Sequence, residues 1–316
     1  MSVSLASEFG VRRLLVAAGQ APSVLNTQPW RFRVARGECV EVLTDPDRRL
    51  RASDPRGRSQ YVSCGAALFN LRLAVRTAGR RPMVWLLPSP EEPGLLAAVR
   101  PAGTSPVPVE YRELYDLIPV RRTSRHPFAD RVLPRAVLAE LRQAASREGA
   151  GLVFLDRHGT TDILDYAVMA EDELGHDHDY RAELAAWTMP GARHDGMPSY
   201  VHGPHGLRDP APVRDFGRQD GKARFEERPQ LAVLTTMGDR PIDWLRAGQA
   251  LQRVLLVAAR HGVSASFLNQ PLDLRDMRGR RDPHHHRGHA QMIIRFGYGP
   301  DLPRSPRRPA TELETA

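Results

Sequence analysis

What this chain has little of narrows its function first. Two cysteines, Cys39 and Cys64, in 316 residues give no disulfide framework and no paired Cys metal site, so a reducing, cytoplasmic compartment is the expectation. Lysine is nearly missing. The 45 basic side chains are almost all arginine and outnumber 37 acidic ones, for a net charge of +8. Aromatic residues make up only 6%, with none of the interleaving that a single-strand stacking platform needs, and the arginines are scattered rather than striped. Nucleic acid is therefore not an expected partner. The start, MSVSLASEFG, lacks the basic and apolar segments of a secretory signal, and no run approaches the ~18 apolar residues of a membrane span. No membrane partner is expected either. There is no GxSxG, no phosphate-cradling P-loop and no GxGxxG after a strand, so Ser/His/Asp hydrolysis has no starting point. His176 with His178, and His284, His285 and His286 with His289, could ligate metal, but none has helical i, i+4 spacing with a matching third ligand. No metal is expected.

What is there is a globular composition, 41% apolar and 26% charged, with 27 prolines and 25 glycines marking many turns. GAALFNLRLAVRTAG (residues 65–79) and GQALQRVLLVAARHG (residues 248–262) share length, terminal glycines and internal Ala and Leu positions. Their apolar spacing is helical, so one helix is written twice. A shorter amphipathic stretch precedes each, at residues 11–20 and 134–146. RFRVARGECVEVLTD after the first reads as a hairpin, and GAGLVFLD after the second as a short strand. PQLAVLTT and AQMIIRFGYG read as two more strands. The expected fold is α+β, two sheet-plus-helix halves packed as an internal pseudo-dimer, spanning residues 1–115 and 116–316. Residues 157–228, rich in Gly, Pro, His and Asp, read as an irregular, lid-like insertion without a regular element. The Pro/Arg-rich tail reads as extended, with its last residues disordered.

Two short segments carry the chemistry. RRTSRHPF (residues 121–128) packs three guanidinium groups and two hydroxyls into five residues. Arginine forks match phosphate oxygens bidentately. Read alone, the segment fits a solvated basic turn equally well. APSVLNTQPWRF (residues 21–32) offers the neutral amides of Asn26 and Gln28 on a turn fixed by Pro22, Ser23 and Pro29, able to read the edge of a planar heterocycle. Read alone, it fits a proline-braced connector better.

Together the two segments resemble the FMN-dependent nitroreductase family, whose members carry an Arg-x-Ser-x-Arg/Lys segment and an APSxxNxQPW loop. The paired halves, the insertion and the closing GYG…PRRP look most like its actinobacterial dormancy-associated (Acg) branch. The resemblance implies a fused pair with one intact flavin site and one decayed one, since the loop occurs only in the first copy and the arginine segment only in the second. It implies that Arg121 and Thr123 hold the FMN phosphate and that Arg125 faces the N1/O2 edge of the ring. Pro22, Ser23, Asn26 and Gln28 would meet the ring and ribityl chain from the other half. Leu268 and the backbone near Asn269 would lie at N5, although Asn269 stands where the family has glycine, and the catalytic group would be the flavin N5 itself. Arg307 would reach the phosphate from the tail. Trp187 and Met197 of the insertion become candidates for covering the ring.

Three functions follow from the resemblance. The first is an FMN oxidoreductase taking hydride from NAD(P)H at N5 and reducing a small-molecule substrate. The second is a protein that stores FMN beneath a closed lid, and the third a specialised flavin-dependent dehydrogenase of a biosynthetic pathway. A monomer is expected, because the pair is already fused.

Overall fold

A computed structural model of the chain describes residues 10–188, 193–207, 211–216, 221–280 and 288–315. The first half runs α1 (Val11–Gly19), β1 (Trp30–Ala35), β2 (Cys39–Thr44), α2 (Arg58–Thr77), β3 (Arg80–Leu86) and β4 (Leu95–Thr104). Helix α3 (Val109–Leu117) then leads into α4 (Arg135–Ser146), β5 (Gly151–Phe154), α5 (Arg157–His176) and α6 (His178–Thr188). The two-residue strands β6 (His205–Gly206) and β7 (Lys222–Ala223) pair with each other. The second half closes with β8 (Gln230–Thr236), α7 (Pro241–Arg260), β9 (Ser264–Phe267), α8 (Gln270–Met277), β10 (His289–Gly297), α9 (Ala310–Leu313) and β11 (Glu314–Thr315). The boundary expected between residues 115 and 116 falls inside α3.

The duplication is visible in the sheets. One has strand order β11-β1-β2-β4-β3 and the other β5-β8-β10-β9. With the added β11 set aside, each strand of the second sheet stands where its counterpart stands in the first, and the shared pairings are all antiparallel. This is an α+β internal pseudo-dimer.

The glycines of the repeated helix explain how the copies join. Gly79 and Gly262, with φ of 78° and 65°, take the left-handed conformation that stops α2 and α7. Gly65 and Gly248 do something else. A Cβ on Gly65 would stand 2.4 Å from the Leu245 carbonyl oxygen, and one on Gly248 would stand 2.0 Å from that of Val62. The two helices cross backbone to backbone at these glycines, and each contact mirrors the other. Each core therefore borrows from the opposite helix: Val62, Phe69 and Leu73 of α2 join the core of the second half, and Leu245 of α7 joins that of the first.

Two expectations fail. The first 32 residues of the insertion are almost entirely helical, as α5 and α6. Asp156 caps α5 by accepting from the Gly159 amide at 2.9 Å, and the buried Leu164, Ala167, Ala170 and Leu174 form its apolar stripe. The helix wins because small residues suffice to bury one face. The tail is also ordered. Strand β11 pairs in parallel with β1, Phe32 opposite Glu314, and Leu313, 1% exposed, plugs the first-half core. Arg308 anchors the tail through the carbonyl oxygens of Gln28 and Trp30, both at 3.1 Å.

Part of the described remainder of the insertion returns to the first half. Met197, Val201 and Phe216 bury themselves against Leu25 and Leu50. Among the described residues, no helix is long and apolar enough to cross a membrane. Cys64 is buried, whereas Cys39 is half-buried on the sheet.

Candidate functional site

The loop between α1 and β1 is strained. Leu25, Asn26 and Gln28 have φ of 47°, 54° and 49°, a left-handed region that costs a non-glycine residue about 1–3 kcal/mol. Neighbouring groups hold it there. Ser23 Oγ accepts from the Gln28 amide at 2.9 Å. Gln28 Nε2 donates to the His194 carbonyl at 2.7 Å, and its Oε1 accepts from the Arg308 amide at 2.9 Å. Asn26 donates to the Gly196 carbonyl at 2.9 Å and accepts from Arg307 Nη1 at 2.9 Å. The loop is thus fixed by the insertion on one side and the tail on the other.

The arginine-rich segment leaves α3 with Arg121 N–H bonded to the Leu117 carbonyl. Thr123 bridges to Ala265 in parallel with β9, which aligns the segment along the edge of the second sheet. Phe128 ends it, packed under the Arg295 guanidinium at 3.9 Å. Arg295 is itself fully buried and paired with Glu226 at 2.5 Å, so the insertion's last residues brace the segment from behind.

Between loop, segment and tail lies a cavity enclosing about 1210 Å³, part of it open to solvent. Pro22, Ser23 and Asn26 line it from the first half, Arg121, Thr123, Arg125 and Asn269 from the second, and Arg307 from the tail. Three expected residues do not. The amide of Gln28 is fully buried and occupied by His194 and Arg308. Leu268 is buried in a separate cluster with Leu164, Leu231, Leu272 and Ile293. Trp187 lines a surface pocket with Arg48, Arg193 and Asp195 instead, whereas Met197 does line the cavity. The side chain of Asn26, although at the wall, is spent on protein partners, so the amides brace the loop rather than offering themselves to a ligand.

Charge decides what this cavity can hold. Six arginines line it, Arg121, Arg122, Arg125, Arg214, Arg304 and Arg307, and among the described residues no aspartate or glutamate does. Arg214 is neutralised by Asp273 at 3.0 Å. Arg121 is 6% exposed, yet its Nε and Nη1 are buried without a hydrogen-bond partner, as are Nε of Arg122, Nε of Arg307 and Oγ of Ser124. Burial, then repulsion from Arg307 and Arg122, pulls the Arg121 pKa down to about 9. Burial, then Arg214, lowers Arg125 to about 10, and burial, then Arg122 and Arg304, lowers Arg307 to about 10. Buried cations without partners are costly in an empty protein. They are what an anion would satisfy.

Much of the remaining wall is apolar, with Leu25, Val62, Leu251, Phe267, Met292 and Phe216, interrupted by Gln20, Ser59, Ser63 and Ser305. Arg122 lies in the 121–128 segment and Arg304 in the tail, beside residues that the resemblance assigns to the phosphate, but neither is itself among the residues expected at the site. Arg214 and Phe216 come from an aperiodic stretch of the insertion that gives no sequence signal. His176 and His178 sit at the α5–α6 junction, and among the described residues no three potential ligands cluster for a metal. His284, His285 and His286 lie outside the described residues.

Among known proteins, the chain is 30% identical over 318 residues to the Mycobacterium tuberculosis (strain H37Rv) protein named "Putative NAD(P)H nitroreductase Rv3131", covering 96% of this chain and 90% of that protein. The chain belongs to the nitroreductase family. It is also 29% identical over 323 residues to "Putative NAD(P)H nitroreductase acg" of the same organism, covering 96% of this chain and 94% of that protein. No protein-family model matches the chain. Among solved structures, the FMN-dependent nitroreductase NfnB from Mycobacterium smegmatis in complex with NADPH aligns over 64% of this chain and 96% of its own, at 17% identity and a TM-score of 0.39. A nitroreductase with bound FMN from Bacteroides fragilis aligns over 60% and 89%, at 12% identity and a TM-score of 0.36.

In the duplicated order of this nitroreductase-family chain, residues 147–150 occupy the place that residues 20–29 occupy in the first half. Glu148 there is held by Arg72 at 2.6 Å and Arg253 at 3.0 Å, and Arg253 also binds Glu110 at 2.9 Å. The second loop is thus short and tied down by salt bridges, whereas the first is long and borders the cavity.

Proposed function

We propose that this protein is a flavoprotein holding one FMN in the cavity between its halves and acting as an NAD(P)H-dependent oxidoreductase. The observation that carries this reading is the set of buried guanidinium N–H groups on Arg121, Arg122 and Arg307 that lack any protein partner. A phosphate dianion supplies the acceptor oxygens they need. In this reading Arg121 and Arg307 take the phosphate with Thr123, and Arg125 sits where a cation favours negative charge on a reduced ring. The apolar wall receives the ring faces, and Pro22 and Ser23 border it on the first-half side. Asn26 and Gln28 set the shape of the loop. When bound, FMN would supply reversible two-electron chemistry, and the backbone near Asn269 would border the reacting edge of its ring. The duplicated architecture and the salt bridges of Glu148 support one FMN per chain and a monomer. The family relationship supports NAD(P)H as donor.

A second reading has its own observation. Met197, Val201 and Phe216 of the insertion are buried at the cavity wall, a placement suited to storing FMN away from donors. Anaerobic mixing of the FMN-loaded protein with NADH and NADPH separates the two. Bleaching of the flavin absorbance within seconds establishes the oxidoreductase, and no bleaching over many minutes establishes storage. Protein that is colourless as purified and takes up no added FMN ends both.

A further inference from the structure

The insertion meets the body of the protein in two places that differ in their response to protons. On one side Asn26 and Gln28 hold the Gly196 and His194 carbonyls, and Arg48 pairs with Asp195 at 2.6 Å. Against its burial, Arg48 and Arg193 keep the Asp195 carboxyl below the ordinary carboxylate range, so this contact stays charged above about pH 4. On the other side lies a recess of about 220 Å³, lined by Tyr180, Glu183 and Leu184 of α6, Arg214 of the insertion, Leu25 of the first half and Asp273 of α8. Arg214 also lines the main cavity, so the two share a wall.

Asp273 is 4% exposed and pairs with Arg214 at 3.0 Å. Burial raises its pKa to about 6, against Arg214 and Arg58 of α2 and aided by Asp276 of α8. Glu171 of α5, within reach of Arg214, is also raised, first by burial. Glu183 is taken up by the Ala52 and Ser53 amides at 3.0 and 2.9 Å. Oη of Tyr180, Oε2 of Glu171 and Oε1 of Gln270 are buried without a hydrogen-bond partner, so this interface is imperfectly satisfied and has little to lose by parting. Lifting α6 and Arg214 away would return Asp273 to water, where an aspartate titrates near about 3.9. The closed form therefore holds the proton more tightly than the open one, and closure gains as pH falls from about 6 to about 4. Protonation gives up the ion pair with Arg214, but the cost of keeping a buried carboxylate ionised is the larger of the two, as the direction of the shift requires.

We propose that Asp273 and Arg214 form a proton-operated latch: protonation of Asp273 shuts the insertion over the cavity, and its ionisation lets the insertion lift. The latch rests on the chain's own residues, and its effect on a ligand rests on the reading that FMN occupies the cavity.

The test is amide hydrogen exchange of the flavin-free full chain at about pH 5 and about pH 7, corrected for the intrinsic pH dependence of exchange and followed through residues 178–188 and 193–207. A proton affinity raised about 100-fold at one carboxyl makes opening about 10-fold rarer at the lower pH, and protection should rise accordingly. In Asp273→Asn the difference should vanish. Release of bound FMN, followed by its fluorescence, should show the same contrast: the wild-type rate divided by the Asp273→Asn rate should fall about 10-fold from about pH 7 to about pH 5, the phosphate's own ionisation being common to both proteins. Removing Arg214 raises the proton affinity of Asp273 further, so in Arg214→Gln the response should move to higher pH, which serves as the check if Asp273→Asn does not fold. Equal protection at both pH values, looser exchange in acid, or an Arg214→Gln response unmoved in pH overturns the latch. A response that survives Asp273→Asn overturns it too, placing the proton on Glu171 or on His202, which is buried in the insertion against Phe216. An exchange response in protein that takes up no FMN supports the latch and sinks the flavin reading instead.

Discussion

Replacing Arg121 by methionine should make the empty protein more stable and the loaded protein worse, two effects of opposite sign from one side chain. Arg121 is 6% exposed, and its Nε and Nη1 have no partner. Burial and the neighbouring guanidiniums hold its pKa at about 9. That depression corresponds to roughly 5 kcal/mol at 1.36 kcal/mol per tenfold change in proton affinity. Relaxation and water entry reduce the stability consequence to about 1–3 kcal/mol, so the flavin-free variant should gain that much in urea unfolding. Binding moves the other way. Two charged hydrogen bonds at about 1.5–3 kcal/mol each put the loss of FMN affinity at about 100-fold or more. The pH dependence has a fixed sign. Phosphate binds the protonated guanidinium and raises its pKa, so affinity is level from above the phosphate's own second ionisation, about pH 6, up to about pH 9, where the flavin-free site is already charged. It falls above that, and in Arg121→Met the fall begins later, towards the Arg307 value of about 10. A variant that is less stable when empty and binds FMN as wild type does would refute the argument at both ends.

Three further outcomes can be checked directly. Gly248→Ala puts a methyl group 2.0 Å from the Val62 carbonyl oxygen, so the crossing helices must separate, at a cost of about 1–3 kcal/mol or more in chemical unfolding. Unchanged stability would show that the crossing is loose. Asp54, buried beneath the start of α2, accepts from the Ser59 and Gln60 amides, yet burial raises its pKa to about 6. Between about pH 4 and pH 6 the unfolded chain releases a proton that the folded one keeps, so this group's contribution to stability declines as pH rises. The stability of wild type relative to Asp54→Asn should therefore fall across that window, and parallel curves would contradict the shift. Arg295→Met strands the buried Glu226 carboxylate and should cost about 3–5 kcal/mol, most of it recovered in Arg295→Met/Glu226→Gln. Failure of the second substitution to rescue would mean that Arg295 acts through packing on Phe128.

The duplicated helix, the strands and both cavity-lining motifs were legible because each is written in local chemistry: periodicity, terminal glycines, clustered arginines. Gly65 and Gly248 appeared in the sequence as repeat boundaries, but only the fold shows that they are where the backbones touch. Helix α5 was hidden because its buried stripe relies on Ala167 and Ala170 among acids and glycines, a weak apolar signal. The tail misled for a different reason. Arg308 and Leu313 find their partners some 280 residues upstream, and no window of sequence reports a contact of that range. Gln28 looked like a ligand donor because an amide's partners cannot be read from its own neighbourhood. Arg214 and Phe216 reach the cavity on a stretch with no period at all.

The salt bridges around Glu148 follow from the joining of the two halves in one chain. In a pair of identical subunits every substitution is made twice, so a carboxylate that plugs one cavity plugs both. Once the copies share a chain, each position is inherited separately, and one side can become a strut while the other stays hollow. The sheets of this chain keep the order of a symmetric pair while its side chains do not, and the described part of residues 157–228 belongs to one half yet packs on Leu25 and Leu50 of the other.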